Sequence, residues 1–167
     1  MKKFIKIKPF QETLNAGMCG PATMKMVLAY YGIEKSEKEL ARLMRHSEEL
    51  GTTTEDAVRV AKQFGFEVKI KRNTSFADLE KWLDKKVPVI VDWFTRGRRD
   101  YGDSEIADGH YSVVAGLDDE YIYLQDPEIG KIRKLKRDDF KKVWFDFRGK
   151  YIQPEKLDIR MLIAIYQ

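Results

Sequence analysis

Apolar residues in the first half of the chain recur at helical spacing. The run from Gly20 to Tyr31 predicts a helix, whose periodic apolar positions are Met24, Val27, Leu28 and Tyr31. Pro21 suits the first turn of this helix, and Gly32 ends it. Three further helices are predicted from their capping residues, after Ser36 with Glu39, after Thr53 or Thr54, and after Ser75.

The second half is dominated by alternating or continuous apolar runs, which predict strands. These runs cover residues 66–71, 87–94, 110–117, 121–126, 131–135 and 160–166, with an edge strand at 1–8 and a short helix at 137–144. Helices first and antiparallel strands later indicate an α+β fold, in which an N-terminal helical part packs on an antiparallel sheet. No linker divides the chain, so we expect a single domain over residues 1–167. Residues 95–109 fit neither element and predict a loop at the rim of a site.

Composition narrows the function classes. The chain has 167 residues, with 31 Lys and Arg against 27 Asp and Glu, or a net charge of +4. A balance this mild does not favour a nucleic-acid binder. The sequence contains neither a secretory signal nor an apolar run long enough to span a membrane. We therefore predict a cytoplasmic protein that needs no nucleic acid, membrane or cofactor.

The single cysteine, Cys19, stands at the predicted start of the first strong helix. Unpaired N–H groups and the positive end of the helix dipole stabilise a thiolate at such a position. Gly20 would let a substrate backbone approach the sulfur. One Cys excludes an intramolecular disulfide, and with two His far apart in sequence it makes no recognisable zinc site. A thiol at a helix start favours a nucleophile over a buried apolar Cys.

A cysteine nucleophile requires an imidazole within hydrogen-bonding reach. His46 ends a charged helix, where a structural role is favoured, whereas His110 opens an apolar strand after Gly109. A hairpin turn centred on Asp118 would place His110 directly opposite Asp126, whose carboxylate could orient the ring. Asp126 precedes a proline, so an ordinary turn-starting role stays open for it.

Two more side chains are candidates for the site. Gln11 precedes Cys19 by eight positions, and its amide could donate a hydrogen bond to an oxyanion; an ordinary loop residue is the alternative. Trp93, with Gly20 and Gly109, is assigned to the substrate cleft, although a core position for the indole stays open.

These residues together resemble the double-glycine leader peptidases, the papain-like domains that process bacteriocin precursors at the N-terminus of ABC transporters. The resemblance rests on Gln11, on 19–22 running into 26–32, on 109–116, and on 121–127. It implies a papain-like fold and a cysteine peptidase acting on a peptide or protein, with Cys19 as nucleophile, His110 as general acid and base, Asp126 as orienter and Gln11 as oxyanion donor. The gap from Gln11 to Cys19 is longer than in that family, and no transporter sequence follows, so we expect a stand-alone relative.

The predicted reaction is hydrolysis of a peptide or amide bond through a thioester acyl-enzyme. An amidase or transpeptidase would use the same triad on another acceptor. A peptide-binding module without turnover is an alternative of a different class. The sequence leaves the natural substrate and the oligomeric state open.

Overall fold

The computed structural model describes residues 2–49, 51–95, 109–147 and 153–167. The helices begin close to the predicted caps and are α1 Cys19–Tyr30, α2 Glu37–Leu43, α3 Thr54–Gln63, α4 Phe76–Asp84 and α5 Arg137–Val143. The predicted loop at 95–109 lies almost wholly outside the described residues. Among the residues described, no helix is both long and apolar enough to cross a membrane.

Nine strands are present in the described residues, and they mostly follow the predicted apolar runs. Their bounds are β1 Lys3–Phe4, β2 Glu67–Lys71, β3 Val89–Phe94, β4 Gly109–Leu117, β5 Tyr121–Asp126, β6 Lys131–Lys136, β7 Phe145–Phe147, β8 Leu157–Ile159 and β9 Leu162–Tyr166. Within those residues, seven strands form one antiparallel sheet in the order β2-β9-β3-β4-β5-β6, with β1 pairing β4. Strands β7 and β8 form a separate pair. The sequence pattern did not predict this pair because three residues are too few to display a period of two.

The helices and the sheet share one apolar core. Helix α1 contributes Val27 and Leu28, and the central strands β3 and β4 contribute Val91 and Val114, all without exposed surface. Burying a side chain of this size contributes about 1.5–3 kcal/mol. The core therefore fixes the start of α1 relative to the start of β4, the two places where the predicted nucleophile and base lie.

Candidate active site

Cys19 is the first residue of α1. Met18 occupies the N-cap and supplies no side-chain hydrogen bond, and the first bond of the helix runs from the Ala22 N–H to the Met18 carbonyl. The N–H groups of the first helical turn consequently have no partner inside the helix. Cys19 is partly exposed and forms no disulfide. A sulfur in this place is open to a substrate and has backbone donors beside it.

The loop before Cys19 is fixed by the second histidine. His46 Nε2 donates to the Ala16 carbonyl at 2.8 Å, and its Nδ1 lies 3.3 Å from Thr52 Oγ1. Thr52 in turn fills the space over Gly20, where an added Cβ would approach its Cβ to 2.7 Å. The structural role expected of His46 is therefore met. The requirement for glycine at position 20 comes from packing.

His110 and Asp126 form a direct hydrogen bond, with His110 Nε2 and Asp126 Oδ1 separated by 2.6 Å. The predicted pairing of these two residues directly across the hairpin is wrong. Val113 pairs with Gln125, which places Asp126 across from Ser112, two positions from His110. Side chains two positions apart lie on the same face of a strand, so the carboxylate reaches the ring diagonally.

The register differs from the prediction because of the turn and a bulge. Asp118 begins the turn instead of centring it, since its Oδ1 accepts the N–H groups of Glu120 at 2.9 Å and Tyr121 at 2.7 Å. The ladder then shifts by one residue between Val114 and Gly116. Together the two features displace the pairing by two residues, an even number, so the Asp126 carboxylate keeps its face.

The electrostatics of the pair favour a charged imidazole. Burial of His110 disfavours its charged form, but the charge and hydrogen bond of Asp126, followed by those of Cys19, raise its pKa from 6.5 to about 10. Burial likewise opposes the charged form of Asp126, yet His110 and then Arg133 hold its pKa at about 2, below the usual 3.8. Since Nε2 is engaged by Asp126, Nδ1 is the nitrogen left for the sulfur.

Arg133 completes this arrangement and was not predicted. Its Nε donates to Asp126 Oδ2 at 2.6 Å, and both side chains are buried. The Glu128 N–H donates to the other carboxylate oxygen at 3.0 Å. The three donors around Asp126 hold the carboxylate in place. The alternation of basic residues along β6 gave no sign that one of them points inward.

The Gln11 side chain is exposed, and its Nε2 donates to the Glu128 carbonyl at 3.1 Å. Its neighbour Glu12 is instead buried, with 8% of its surface exposed. Burial raises the pKa of Glu12 to about 7; the charge of His110 opposes this shift, and the charges of Glu128 and Asp126 add to it. A protonatable carboxyl thus lies beside the His110–Asp126 pair, and nothing in the sequence pattern distinguished it from its exposed neighbours.

Trp93 does not lie in the substrate cleft to which the sequence assigned it. The indole has 0% exposure, its N–H donates to Ser112 Oγ at 3.1 Å, and its ring meets the His110 ring edge-on with centroids 5.4 Å apart. A residue without exposed surface cannot line a cleft, so Trp93 supports the imidazole from within the core. Gly109 is partly exposed, and the Asp146 carboxylate occupies the space that a side chain there would need.

The site also contains three groups that could ligate a metal ion. Atoms of His110, Asp126 and Glu128 lie within 4.8 Å of one another. Both oxygens of Asp126, however, already accept hydrogen bonds from the imidazole, the backbone and Arg133. The absence of a metal requirement stays a prediction.

Comparison with known proteins identifies the family of the chain. Residues 4–152 match the Peptidase_C39 like family. Over 128 residues, or 75% of this chain, the sequence is 33% identical to the transport/processing ATP-binding protein ComA of Streptococcus pneumoniae. The match spans only 16% of the length of that protein.

Solved structures share the fold. The peptidase domain of Streptococcus ComA superposes with a TM-score of 0.69 at 23% identity, covering 96% of this chain and 98% of that domain. The Carica candamarcensis cysteine protease CMS1MS2 superposes with a TM-score of 0.61 at 15% identity, covering 96% of this chain and 93% of the protease. The chain therefore belongs to the Peptidase_C39 like family and is a cysteine-type peptidase with a papain-like α+β fold.

Proposed function

We propose that the chain hydrolyses a peptide or amide bond through a Cys19–His110–Asp126 triad and a thioester acyl-enzyme. The observation that carries the proposal is the buried His110–Asp126 hydrogen bond of 2.6 Å, formed by a ring whose pKa the neighbouring Cys19 also raises. This is the nucleophile, base and orienter arrangement that acyl transfer requires.

In the first half-reaction the Cys19 thiolate attacks the carbonyl carbon, and a C–S bond forms while the carbonyl π electrons move to oxygen. The oxyanion is stabilised by the Cys19 N–H and by the amide of Gln11. Collapse of the tetrahedral intermediate breaks the C–N bond, and the leaving nitrogen takes the Nδ1 proton of His110. A thioester on Cys19 and a free amine result.

In the second half-reaction the neutral His110 removes a proton from water as the water attacks the thioester carbonyl. Collapse then breaks the C–S bond, releases the carboxylic acid and restores the thiolate–imidazolium pair. While His110 is charged, His110 and Arg133 keep the pKa of Asp126 at about 2, and the ion pair with Arg133 stabilises the carboxylate when the ring is neutral. The role of Asp126 is to hold the ring and stabilise its charge.

The Gln11 amide donates one N–H to the Glu128 carbonyl, and the proposed oxyanion role uses its second N–H. We assign a substrate contact to the backbone of Gly109, which precedes His110 and is partly exposed. Gly20, expected at the substrate cleft, is buried beneath Thr52 and is assigned to packing. A peptide substrate is favoured because the relative ComA is named a transport/processing protein and its peptidase domain shares the fold of this chain. We also propose that the chain forms a single domain and acts in the cytoplasm.

An activated ester tests the acyl-enzyme without knowledge of the natural substrate. With p-nitrophenyl acetate, the wild-type chain should release a burst of nitrophenol and gain one acetyl group on Cys19, seen by mass spectrometry. Cys19→Ala should show neither signal, and His110→Ala should acylate far more slowly. A wild-type rate equal to that of His110→Ala would refute the triad and favour a binding module without turnover.

Product analysis separates hydrolysis from transfer. The preformed acetyl-enzyme is incubated with and without an added amine such as glycinamide. Free acetate in both cases supports a hydrolase, whereas acetylglycinamide as the main product identifies a transferase with the same triad.

A further inference from the structure

A second polar cluster lies beside the nucleophile, on β3 and β4. Asp92 of β3 pairs with Tyr111 of β4 in the strand ladder, next to the pairing of Trp93 with His110. Only 4% of Asp92 is exposed, and its Oδ1 has no hydrogen-bond partner in the structure as described. A buried carboxylate oxygen without a donor is costly, so its presence calls for a ligand or a function.

A second carboxylate faces the first. Asp146 of β7 lies over Gly109, in the space where a side chain at that position would collide with it. Burial, followed by the charge and hydrogen bond of Asp146, raises the pKa of Asp92 well above its usual range, and the charge of Cys19 adds to the effect. The two carboxyl groups are thus neighbours; Asp92 lies close enough to Cys19 for the two charges to interact, and Asp146 lies over Gly109 on the strand that carries His110.

The wall of this cluster is also polar. The Tyr111 hydroxyl lies 3.0 Å from Thr54 Oγ1, and burial, then the charge of Asp92, raise the pKa of Tyr111 well above its usual range. The nearby Asp158 is paired with Arg72 at 2.6 Å, so its charge is partly compensated. The cluster formed by Asp92, Asp146, Tyr111 and Thr54 will be called the acidic subsite.

We propose that the acidic subsite binds a positively charged side chain, an alkylammonium or guanidinium, of the peptide residue next to the scissile bond. The proposal rests on the peptidase function above. A cation would supply the donor that Asp92 Oδ1 lacks and would offset the repulsion between two adjacent carboxyl groups. An acidic side chain would meet like charge and be excluded.

The test uses the fact that Cys19 is the only cysteine of the chain. A thiolate attacks 2-aminoethyl methanethiosulfonate, forming a mixed disulfide while methanesulfinate departs with the electron pair. The neutral 2-hydroxyethyl reagent reacts in the same way and has a similar size. The ratio of the cationic to the neutral rate, divided by the same ratio for free mercaptoethanol, measures the preference of the site for a cation.

The wild-type chain should prefer the cationic reagent by about tenfold, the effect of a carboxylate charge a few ångströms away. The double variant D92N/D146N should lose that preference. The control D138N/D139N, which replaces two carboxyl groups at the exposed start of α5, should keep it. A wild-type ratio equal to that of mercaptoethanol, or a ratio unchanged in D92N/D146N, would overturn the proposal.

The wild-type comparison with mercaptoethanol decides the matter even if D92N/D146N does not fold. The result is also independent of the proposed function, because any thiol reacts with these reagents. Failure of the triad would appear as slow reaction with both reagents, unchanged in His110→Ala. Failure of the acidic subsite would appear as fast reaction without a charge preference.

Discussion

At the scale of residues, the groups around the His110–Asp126 hydrogen bond include two buried charged side chains, Arg133 and Glu12. Cys19, His110 and Asp126 are rare or reactive residue types placed at element boundaries, where functional groups concentrate. Arg133 and Glu12 are common residue types among similar neighbours, and what sets them apart is burial. Burial depends on which face of the folded element meets the sheet, which the local pattern does not report for single charged residues.

Removal of Arg133 should weaken the triad through Asp126. Arg133→Gln leaves a buried carboxylate with one donor fewer, so the free energy of unfolding should fall by about 3 kcal/mol, and acylation should slow. Arg137→Gln is the control, because Arg137 pairs with a partly exposed Glu80 at 2.8 Å and should cost about 1 kcal/mol or less. Equal losses of unfolding free energy in urea denaturation would show that the Arg133–Asp126 contact stabilises the fold no more than the Arg137–Glu80 contact does.

Gln11 can be separated from the triad by comparing two reactions. Acyl transfer creates an oxyanion, whereas alkylation by iodoacetamide does not. Gln11→Ala should therefore lower the rate of acylation by about 100-fold and leave the alkylation rate unchanged, with Gln153→Ala as an exposed control. Unchanged acylation would assign the oxyanion to backbone N–H groups alone and leave Gln11 as a loop residue bound to Glu128.

At the scale of elements, capping residues located the helix starts well. Ser36, Thr53 and Ser75 each accept the backbone N–H three residues on, as the sequence indicates. Strand register was predicted less well. The bulge in β4 and the exact start of the turn at Asp118 depend on side-chain hydrogen bonds that form only in the folded hairpin, so the predicted pairing was displaced by two residues. The His110–Asp126 contact was nevertheless predicted, because an even displacement preserves the face.

The two serine caps should differ in strength. Ser75 forms a reciprocal capping box with Asp78, whereas Ser36 only accepts from the Glu39 N–H and the Glu39 carboxylate is bound to Lys35. Ser75→Ala should cost about 1 to 2 kcal/mol of unfolding free energy and Ser36→Ala about 0.5 to 1 kcal/mol. Thermal or urea denaturation of both variants measures the difference, and a larger loss for Ser36→Ala would contradict this account.

At the scale of the whole molecule, the site joins residues that are far apart in sequence. The start of α1, the strands β4 to β6 and the short β7 meet only because the core fixes α1 against the sheet. The sequence indicated the helical half and the sheet half and so predicted the fold class. It could not indicate the acidic subsite, because Asp92 and Asp146 are brought together by β7, an element too short to be recognised.

The charged His110–Asp126 pair should make stability depend on pH. The pKa of His110 is raised from 6.5 to about 10 in the fold, so the folded state binds the proton more tightly. The stabilisation is complete below pH 6.5 and is lost as the pH rises toward 10, with a slope of at most about 1.4 kcal/mol per pH unit. Urea denaturation across this window should show the decline.

Two variants test which titratable group causes this decline in unfolding free energy. Asp126→Asn removes the partner of the imidazolium and should flatten the slope between pH 6.5 and 10. Glu12→Gln is the matched control and should change only the lower window, because the pKa of Glu12 is raised from 4.5 to about 7. A slope above pH 7 that is the same in wild type and Asp126→Asn would place the titrating group elsewhere.

The proposed mechanism requires His110 to keep Cys19 as a reactive thiolate. The most direct measurement is the rate of Cys19 alkylation by iodoacetamide from about pH 4 to about pH 10, in wild type and in His110→Ala. We expect fast alkylation of the wild type well below the value of about 8.5 at which an ordinary thiol ionises, and loss of this reactivity in His110→Ala. Slow alkylation that rises only near that value, identical in both proteins, would contradict the account and make Cys19 an ordinary structural thiol.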